Sequence, residues 1–379
     1  MRNIVDPGVA GGGADGVGER VALITHSTTP RGGHVHTLGL GEALHRAGHP
    51  VHLFALGERL YRDVDLPHTL VPGPRRDGTT LTERTLDGIE RLTVALAEHI
   101  DRFDVLHAQD CIAARAASAA RARTGADVTV LRTAHHVDDF TTPVLVECQR
   151  RAITEPDRVL VVSRMWQDIL ARDFGVAATI VPNGVDLRRF ATPAPVPRPP
   201  GFLLLAVGGI EPRKGTVHLV RALARLGELA PALVVVGGHS FQDFAPYRDA
   251  TLKEAADLGV AVHEVGTLTD DELAGWYAAA DALAYPSVAE GFGLVPIEAM
   301  ALGLPVVASD LAVFREHLTD GVDALLPPVG DDAALAGALR RVITEPALRE
   351  SLRAAGRATT SAFTWANAAA AHQEVYRTL

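Results

Sequence analysis

From Val21 onward, short apolar runs rich in Val, Leu and Ile alternate with longer segments whose apolar residues recur with the helical period. This alternation is the pattern of parallel βαβ units. Because the apolar runs are continuous, the strands should be buried on both faces of their sheets, as in doubly wound folds. The pattern therefore predicts an α/β chain with parallel sheets covered by helices.

The alternation occurs twice along the chain. The first series predicts strands at Val21–His26, Val51–Ala55, Val105–Ala108, Val128–Thr133, Val159–Ser163 and Thr179–Pro182. The second series predicts strands at Phe202–Val207, Ala232–Val236, Ala261–Glu264, Ala282–Tyr285, Pro305–Ala308 and Ala324–Leu326. Between them, residues 192–200 read TPAPVPRPP, and prolines at that density remove backbone donors that helices and inner strands need.

The length of 379 residues exceeds one ordinary core and agrees with two domains. We expect a first domain over 21–191, a linker over 192–200 and a second domain over 201–364. Residues 1–20 are rich in glycine and are expected to form a disordered tail. The last helix, over 365–379, is expected to cross back onto the first domain because it carries an apolar stripe. The stripe consists of Trp365, Ala368, His372, Val375 and Leu379.

Composition excludes several classes of protein. The 36 basic and 46 acidic residues give a net charge of −10, which disfavours binding to nucleic acid. The two cysteines, Cys111 and Cys148, exclude a disulfide framework and a cysteine-rich metal site. No apolar stretch approaches the ~20 residues of a membrane-spanning helix, and the start lacks the pattern of a secretory signal. We expect a cytoplasmic protein, with peripheral contact at the inner face of the membrane left open.

The most informative segment for function is Ala289–Asp310, AEGFGLVPIEAMALGLPVVASD, which follows a predicted strand. Its proline and glycine positions predict a short helix over about Pro296–Leu302. Glu298 would lie in the first turn of this helix and Glu290 in the preceding loop. Amides at a helix start favour a diphosphate, and carboxylates accept hydrogen bonds from sugar hydroxyls. Taken alone, two glutamates at this spacing are more often solvated side chains near the start of a helix.

A second segment, Leu205–Gly215, reads LAVGGIEPRKG and joins a predicted strand to a helix. Arg213 and Lys214 therefore lie near the carboxyl end of that strand. A phosphate that leaves a glycosyl carbon develops negative charge, and either cation could stabilise it. The alternative is that both are solvated loop charges.

Two motifs of the first half also follow predicted strands. In Thr29–His36, TPRGGHVH, Gly32 and Gly33 permit close approach of a ligand to the backbone. The strand Val128–Thr133 ends in AHHVDDF, whose polar residues are His135, His136, Asp138 and Asp139. Their spacing is poor for a metal, but a histidine beside carboxylates can move a proton or orient a hydroxyl.

Together these motifs resemble those of retaining glycosyltransferases with the GT-B fold, particularly glycosyltransferase family 4. The segment with Glu290 and Glu298 is similar to the family's glutamate-x7-glutamate signature, and DVLHAQ at 104–109 and VPNGVD at 181–186 occur in family order. The resemblance covers about Val21 to Leu379. It implies two Rossmann-like, doubly wound parallel-sheet domains that face a central cleft, with the acceptor held by the first and the nucleotide sugar by the second.

The resemblance also implies roles for individual residues. Glu290 would hold hydroxyls of the donor sugar and Glu298 the nucleotide ribose. Lys214 matches the family's phosphate lysine, and His135 matches a histidine near the donor sugar and acceptor, with His136 as the alternative. With Glu290, these make His135 and Lys214 the candidate catalytic residues. The other implied donor-binding residues are Gly32, Gly33, Arg213, Gly291, Phe292, Gly293 and Leu294.

One position departs from the family pattern. The family usually has an arginine directly after the first glycine of the second segment, whereas this chain has Gly209. The positive charge of the missing arginine would then come from Arg213 or from another residue, or it would not be supplied at all.

The function that the resemblance implies is retaining transfer of a hexosyl group from a UDP-, GDP- or ADP-linked sugar to an unidentified acceptor. The expected route is a front-face ion pair, with side-chain cations in place of a metal and no cofactor besides the nucleotide sugar. The alternatives are a disaccharide phosphorylase, a nucleotide-sugar epimerase and a non-catalytic nucleotide-sugar-binding protein, and Gly209 gives weight to the last.

Overall fold

The computed structural model describes residues 18–28, 32–74, 78–137, 140–238 and 244–379. The chain forms two compact units. The first extends to Gly184 and also includes Thr364–Leu379, whereas the second is Val185–Phe363. Each unit is built around a parallel sheet, as the continuous apolar strands predict.

The strands are numbered along the sequence, and neighbours in a sheet are not always consecutive in the sequence. In the first unit they are β1 (Val21–Thr25), β2 (Val51–Leu56), β3 (His68–Val71), β4 (Val105–Ala108), β5 (Thr129–Ala134), β6 (Arg158–Val161) and β7 (Ala178–Ile180). In the second they are β8 (Leu203–Val207), β9 (Ala232–Val236), β10 (Val262–Gly266), β11 (Ala282–Tyr285) and β12 (Val306–Ala308). The sheet orders are β3-β2-β1-β4-β5-β6-β7 and β10-β9-β8-β11-β12.

Helices connect these strands. Those before the unit boundary are α1 (Gly32–Arg46), α2 (Leu81–Ala97), α3 (Cys111–Thr124), α4 (Pro143–Thr154) and α5 (Arg164–Phe174). Those of the second unit are α6 (Thr216–Ala224), α7 (Ala245–Asp257), α8 (Asp270–Ala279), α9 (Leu294–Ala301), α10 (Ala312–Arg315), α11 (Asp332–Thr344) and α12 (Pro346–Thr360). The last helix, α13 (Trp365–Tyr376), belongs to the first unit. Short 3-10 turns lie at Ile100–Arg102, Leu187–Phe190, Pro212–Lys214 and Gly227–Leu229.

One predicted strand is absent from the structure, and one strand of the structure was not predicted. The prediction of a strand at Ala324–Leu326 is wrong, because Leu325 makes only an isolated bridge to Val307. Conversely, β3 was not among the predicted strands. It lies at the edge of its sheet, and of its four residues only Val71 is buried, so it lacks the apolar run by which the inner strands are recognised.

The boundary between the units falls before the proline-rich segment rather than after it. Val185 already belongs to the second unit, and Arg189 forms a bidentate ion pair with Asp270 at the start of α8. Ala194 donates its backbone N–H to a carbonyl of α8 at 2.9 Å. Residues 192–200, expected to be a linker, are therefore assigned to the second unit and contact it through Ala194.

The expected tail over residues 1–20 lies mostly outside the described residues. Its last residue, Arg20, is held in place by Asp104. The backbone N–H of Arg20 donates to the Asp104 carboxylate at 2.8 Å, and the guanidinium pairs with the same group at 2.7 Å. Arg20, one residue before the expected start of the domain, therefore packs on the first unit.

The terminal helix α13 packs against α1 within the first unit. Trp365 and His372 of the predicted stripe are buried, but Leu379 is exposed and Tyr376 takes the buried position at the end of the helix. The two helices approach closely because α1 has a glycine at the contact. A Cβ on Gly39 would lie 2.4 Å from the Trp365 ring.

Buried histidines occupy the space between α13, α1 and the sheet. His36, His107 and His372 are fully buried, and the rings of His107 and His372 have centroids 5.5 Å apart. His107 shares hydrogen bonds with the Tyr376 hydroxyl and the Thr133 hydroxyl, both at 2.8 Å. Burial lowers the pKa of His36 and His107 well below the usual value and that of His372 to about 4. These rings are therefore neutral at pH 7.

The first unit should accordingly be sensitive to acid. An unfolded histidine titrates near pH ~6.5, so below that pH the unfolded chain binds more protons than the native one and stability falls until about pH 4. His34 and His52 are buried with pKa values also lowered to about 4. Each of these and His372 should remove about 2 kcal/mol from the free energy of unfolding between about pH 8 and pH 5.

Urea unfolding at these two pH values tests this expectation. A His372→Gln variant should lose about 2 kcal/mol of the pH dependence, whereas a variant of the exposed His263, His263→Gln, should retain all of it. An unchanged pH dependence in His372→Gln would contradict the prediction.

Candidate functional site

In each sheet, strand order reverses beside the first strand of the unit. In the second unit, β8 lies between β9 and β11, so the connections after β8 and β11 run to opposite faces. The crevice at the carboxyl ends of two such strands is the usual ligand site of open α/β sheets. Lys214 follows β8 and Glu290 follows β11, so the topology itself brings the two predicted residues to this point.

Lys214 and Glu290 form an ion pair with a shared tyrosine. The Lys214 Nζ lies 2.8 Å from the Glu290 Oε1 and donates to the Tyr285 hydroxyl at 2.6 Å. That hydroxyl donates in turn to the Glu290 Oε1 at 2.9 Å. A guanidinium nitrogen of Arg213 lies 2.9 Å from the same carboxylate oxygen. Two cations thus converge on one buried carboxylate at the strand ends.

Glycines allow this convergence. Gly208 has a φ of +132° and a Cβ there would lie 2.6 Å from the Lys214 Cε. Gly215 has a φ of +64° and a Cβ there would lie 2.1 Å from the Pro286 carbonyl oxygen. The loops after β8 and β11 are also joined by a hydrogen bond from the Val288 N–H to the Arg213 carbonyl at 2.8 Å. Side chains at either glycine would separate Lys214 from Glu290.

The electrostatics of the cluster follow from burial and charge. Burial lowers the pKa of Lys214, and the charge of Glu290 opposes this shift. Burial alone would raise the pKa of Glu290, but the positive charges of Lys214 and Arg213 outweigh it and hold that pKa below its usual value. Burial raises the pKa of Tyr285 well above its usual value, so its hydroxyl stays protonated. Arg213 is half-exposed and also donates to the Glu211 carboxylate at 3.1 Å.

The helix α9 begins earlier than predicted, at Leu294, with Gly293 as its N-cap at a φ of +90°. A Cβ on Gly293 would lie 2.2 Å from the Phe314 ring, so this close approach requires glycine. The expectation that Glu298 lies in the first turn is therefore wrong, since it lies in the second turn. The amides of Leu294 and the next residue remain at the helix start, as an anion site requires.

Glu298 is buried and contacted from two sides. The Tyr277 hydroxyl donates to its Oε2 at 3.2 Å, and Arg189 lies 3.4 Å from its Oε1. Burial raises the pKa of Glu298, and the charge of Arg189 opposes the rise. Phe292 is also buried, with its ring stacked on His317 at 5.2 Å between centroids. The Phe292 side chain therefore packs within the second unit.

In the first unit, the corresponding reversal lies between β1 and β4. Gly33, at the start of α1, and His135, after β5, meet there, because a Cβ on Gly33 would lie 3.7 Å from the His135 ring. His135 shares a hydrogen bond with the Gln109 side chain at 3.2 Å and packs against the ring of His36, with centroids 4.5 Å apart. Gly32 begins α1 with open space around it.

Burial lowers the pKa of His135 to about 3, with the charges of His136 and Arg132 acting in the same direction. The His135 ring is therefore neutral at pH 7, so it can donate or accept a hydrogen bond but carries no charge. His136 is exposed. Asp138 and Asp139, the carboxylates of the same motif, lie outside the described residues.

The structure brings the predicted residues together in two groups. Lys214 and Arg213 contact Glu290 in the second unit, and Gly33 lies close to His135 in the first. Sequence reasoning missed Tyr285, Tyr277 and Arg189, which hold the two glutamates, and Gln109 and His36, which hold His135. Gln109 directly follows a predicted strand, a signal that could have found it.

Gly209, the position that departs from the family pattern, has a φ of +75°. A Cβ there would lie 2.9 Å from the Gly238 carbonyl oxygen, and a Cβ on Gly237 would lie 2.3 Å from the Gly209 nitrogen. The turns after β8 and β9 therefore meet backbone to backbone. An arginine at position 209 would be strained by this backbone conformation and by the Gly238 carbonyl.

Two further features bear on the kind of site. Among the residues that the structure describes, no group of three or more His, Cys, Asp or Glu side chains is arranged to hold a metal ion. Within the same ranges, no helix has the length and apolar character needed to cross a bilayer.

The chain matches known families over most of its length. Residues 30–189 match the family described as Glycosyltransferase Family 4, and residues 192–359 match Glycosyl transferases group 1. A phosphatidyl-myo-inositol mannosyltransferase of Mycolicibacterium smegmatis is 30% identical over 371 residues, which cover 92% of this chain and 91% of that protein. A D-inositol 3-phosphate glycosyltransferase of Streptomyces bingchenggensis is 34% identical over 60% of this chain, and the match spans only 54% of that relative's length.

Solved structures share the architecture. The structure of Alr3699/HepE from Anabaena in complex with UDP-glucose superposes with a TM-score of 0.78 at 18% identity, over 95% of this chain and 100% of that one. With the two parallel-sheet units, such similarities confirm the predicted GT-B fold. The chain belongs to glycosyltransferase family 4, as the relatives and both family matches establish.

The close contact at Gly209 predicts a specific loss of stability. Gly227 has a similar φ of +58° but open space around it, so it is a matched control. Gly227→Ala should cost about 1 kcal/mol for the left-handed backbone, and Gly209→Ala should cost about 1–2 kcal/mol more because of the Gly238 carbonyl. Urea unfolding of both variants measures the difference. Equal losses would show that the turns after β8 and β9 are not in contact.

The buried ion pair predicts an order of lysine titration. Lys214 and Lys253 are the two lysines of the chain, and Lys253 is exposed beside Asp257. NMR of lysine-labelled protein should show Lys214 titrating at lower pH than Lys253. Because the charge of Glu290 raises the pKa of Lys214, a Glu290→Gln variant should lower the pKa of Lys214 further and leave that of Lys253 unchanged. A shift of Lys214 to higher pH would contradict the arrangement.

Proposed function

We propose that this protein is a retaining glycosyltransferase that transfers a hexosyl group from a nucleotide-diphosphate sugar to an acceptor. The observation that carries the proposal is the convergence of Lys214 and Arg213 on Glu290 at the carboxyl ends of β8 and β11. Family membership supports the activity class, and the UDP-glucose bound to Alr3699/HepE supports a nucleotide-sugar donor.

On this proposal, Lys214 and Arg213 bind the donor diphosphate. In the described structure the Glu290 carboxylate holds both cations in position, so they need no large movement when phosphates arrive. Preorganised cations stabilise the charge that develops on the departing diphosphate and avoid the cost of ordering at the moment of reaction. Since these cations and the α9 amides supply the positive charge, the proposed reaction uses no metal ion and no further cofactor.

Arg213 would take the role of the arginine that Gly209 replaces. Its guanidinium lies 2.9 Å from Glu290, and it is half-exposed, so it can reach a phosphate without a change of backbone. An arginine can bind two phosphate oxygens at once, which a lysine cannot do with the same geometry.

The two glutamates would bind hydroxyls of the donor. Glu290, freed from part of its ion pairing by the phosphates, would accept from the sugar. Glu298 would accept from the ribose. Ionised carboxylates suit both tasks because they are acceptors only.

We infer a front-face route for the transfer. The bond between the anomeric carbon and the diphosphate oxygen breaks first, and the acceptor hydroxyl adds on the same face while the departing diphosphate takes its proton. A double displacement would instead need a carboxylate free to attack the sugar. Glu290 is a poor candidate because in this proposal its carboxylate accepts hydrogen bonds from the sugar hydroxyls. His135, neutral and held by Gln109, would orient a sugar or acceptor hydroxyl.

Turnover of UDP-, GDP- and ADP-sugars is the direct test, with D-inositol 3-phosphate and phosphatidyl-myo-inositol as the first acceptors because they appear in the names of the relatives. One donor should release its nucleoside diphosphate. Lys214→Ala should lower kcat by about 100-fold or more, since removal of one preorganised donor has that effect. Lys253→Ala, at the other lysine of the chain, should leave kcat unchanged.

The other outcomes distinguish the alternatives. Release that depends on inorganic phosphate would favour a phosphorylase, and interconversion of the sugar would favour an epimerase. Binding without turnover of any donor would favour a nucleotide-sugar-binding protein. A product with inverted anomeric configuration, measured by NMR, would overturn the retaining mechanism.

A further inference from the structure

Glu298 lies in an enclosed position that a carboxylate occupies only with compensation. It is 7% exposed. The Tyr277 hydroxyl donates to one of its oxygens at 3.2 Å, and Arg189 lies 3.4 Å from the other. At the latter distance the guanidinium acts mainly through its charge, because the hydrogen bond is long.

Arg189 is itself fixed by a second carboxylate. Its Nε and one terminal nitrogen bond the two oxygens of Asp270 at 3.0 Å and 2.6 Å, which is the bidentate geometry that arginine and carboxylate prefer. The guanidinium is largely buried, and it lies 5.2 Å from the centroid of the Phe190 ring. Phe190 packs edge to face on Tyr277, with centroids 5.4 Å apart. The cation beside Glu298 therefore has one defined orientation.

We propose that Arg189, anchored by Asp270, is a positioning residue for the donor: it sets the charge and the orientation of the Glu298 carboxylate that receives the nucleoside. This inference rests on the proposed function, in which Glu298 binds the ribose. Arg189 contacts the carboxylate and has no contact with the reacting atoms in the proposal.

The balance of charge around Glu298 explains why such a residue is needed. Burial raises the pKa of Glu298, and Asp270 adds to the rise. Arg189 and the Tyr277 hydroxyl lower it. Arg189 approaches Glu298 from the 3-10 turn Leu187–Phe190, whereas Tyr277 and Asp270 belong to α8. Without Arg189, the carboxylate would be protonated at a higher pH and would lose an acceptor site for the ribose diol.

The test is calorimetric binding of UDP, GDP and ADP to the full chain across a pH series. Affinity should fall on acidification as Glu298 takes up a proton. In Arg189→Gln, the nucleotide that binds the unmodified protein should bind about tenfold more weakly near neutral pH, and the fall should begin at higher pH. Arg189→Lys keeps the charge and should restore most of the pH profile. Arg188→Gln, at the exposed neighbour that pairs with Asp186, is the matched control and should behave as the unmodified protein.

A double variant guards against a simple loss of folding. In a Glu298→Gln background, the Arg189→Gln substitution should have no further effect on affinity. A merely structural role would instead weaken binding in both backgrounds by the same factor.

The outcomes separate this inference from the proposed function. If no nucleoside diphosphate binds the unmodified protein, both fail. If one binds and Arg189→Gln leaves the pH profile unchanged, or weakens binding equally with and without Glu298, the positioning role is overturned and the proposed function stands.

Discussion

The Lys214–Glu290 ion pair is the contact around which the candidate site is built, and it exists because β8 and β11 are neighbours in a parallel sheet. Both residues lie in the loops that follow the carboxyl ends of their strands, so the pairing of β8 with β11 brings the two loops together. The glycines beside them remove the steric barrier, and Tyr285 completes the hydrogen bonds of the buried pair. The sheet topology, the glycines of the loops and the opposite charges thus each favour the contact between Lys214 and Glu290.

Much of the fold could be predicted from sequence because it depends on local patterns. The inner strands are continuous apolar runs, and those are read without knowledge of their neighbours. β3 was not predicted because an edge strand is buried on only part of its surface and therefore lacks a continuous apolar run. Leu325 was mistaken for a strand residue because a short apolar run does not reveal whether its backbone is paired.

The candidate site was predictable only in part, because some of its residues stand in local sequence motifs and others do not. Lys214 and Glu290 stand in motifs whose order resembles that of the family. Arg189 and Tyr277 hold Glu298 from distant parts of the chain, 109 and 21 residues away, and no local pattern marks them. Tyr285 lies in a strand where an aromatic residue is ordinary core. Its role becomes visible only when its hydroxyl is found between two charges.

The meeting of the turns after β8 and β9 has a consequence for how this sequence can change. Gly209 leaves no room for a side chain because Gly237 and Gly238 lie against it. An arginine at position 209 would require the neighbouring turn, with Gly237 and Gly238, to move as well. A single substitution at Gly209 or Gly237 should therefore lower the free energy of unfolding. A cation is therefore not gained at this point by one substitution at position 209, and in the proposed function Arg213 supplies it from the same loop.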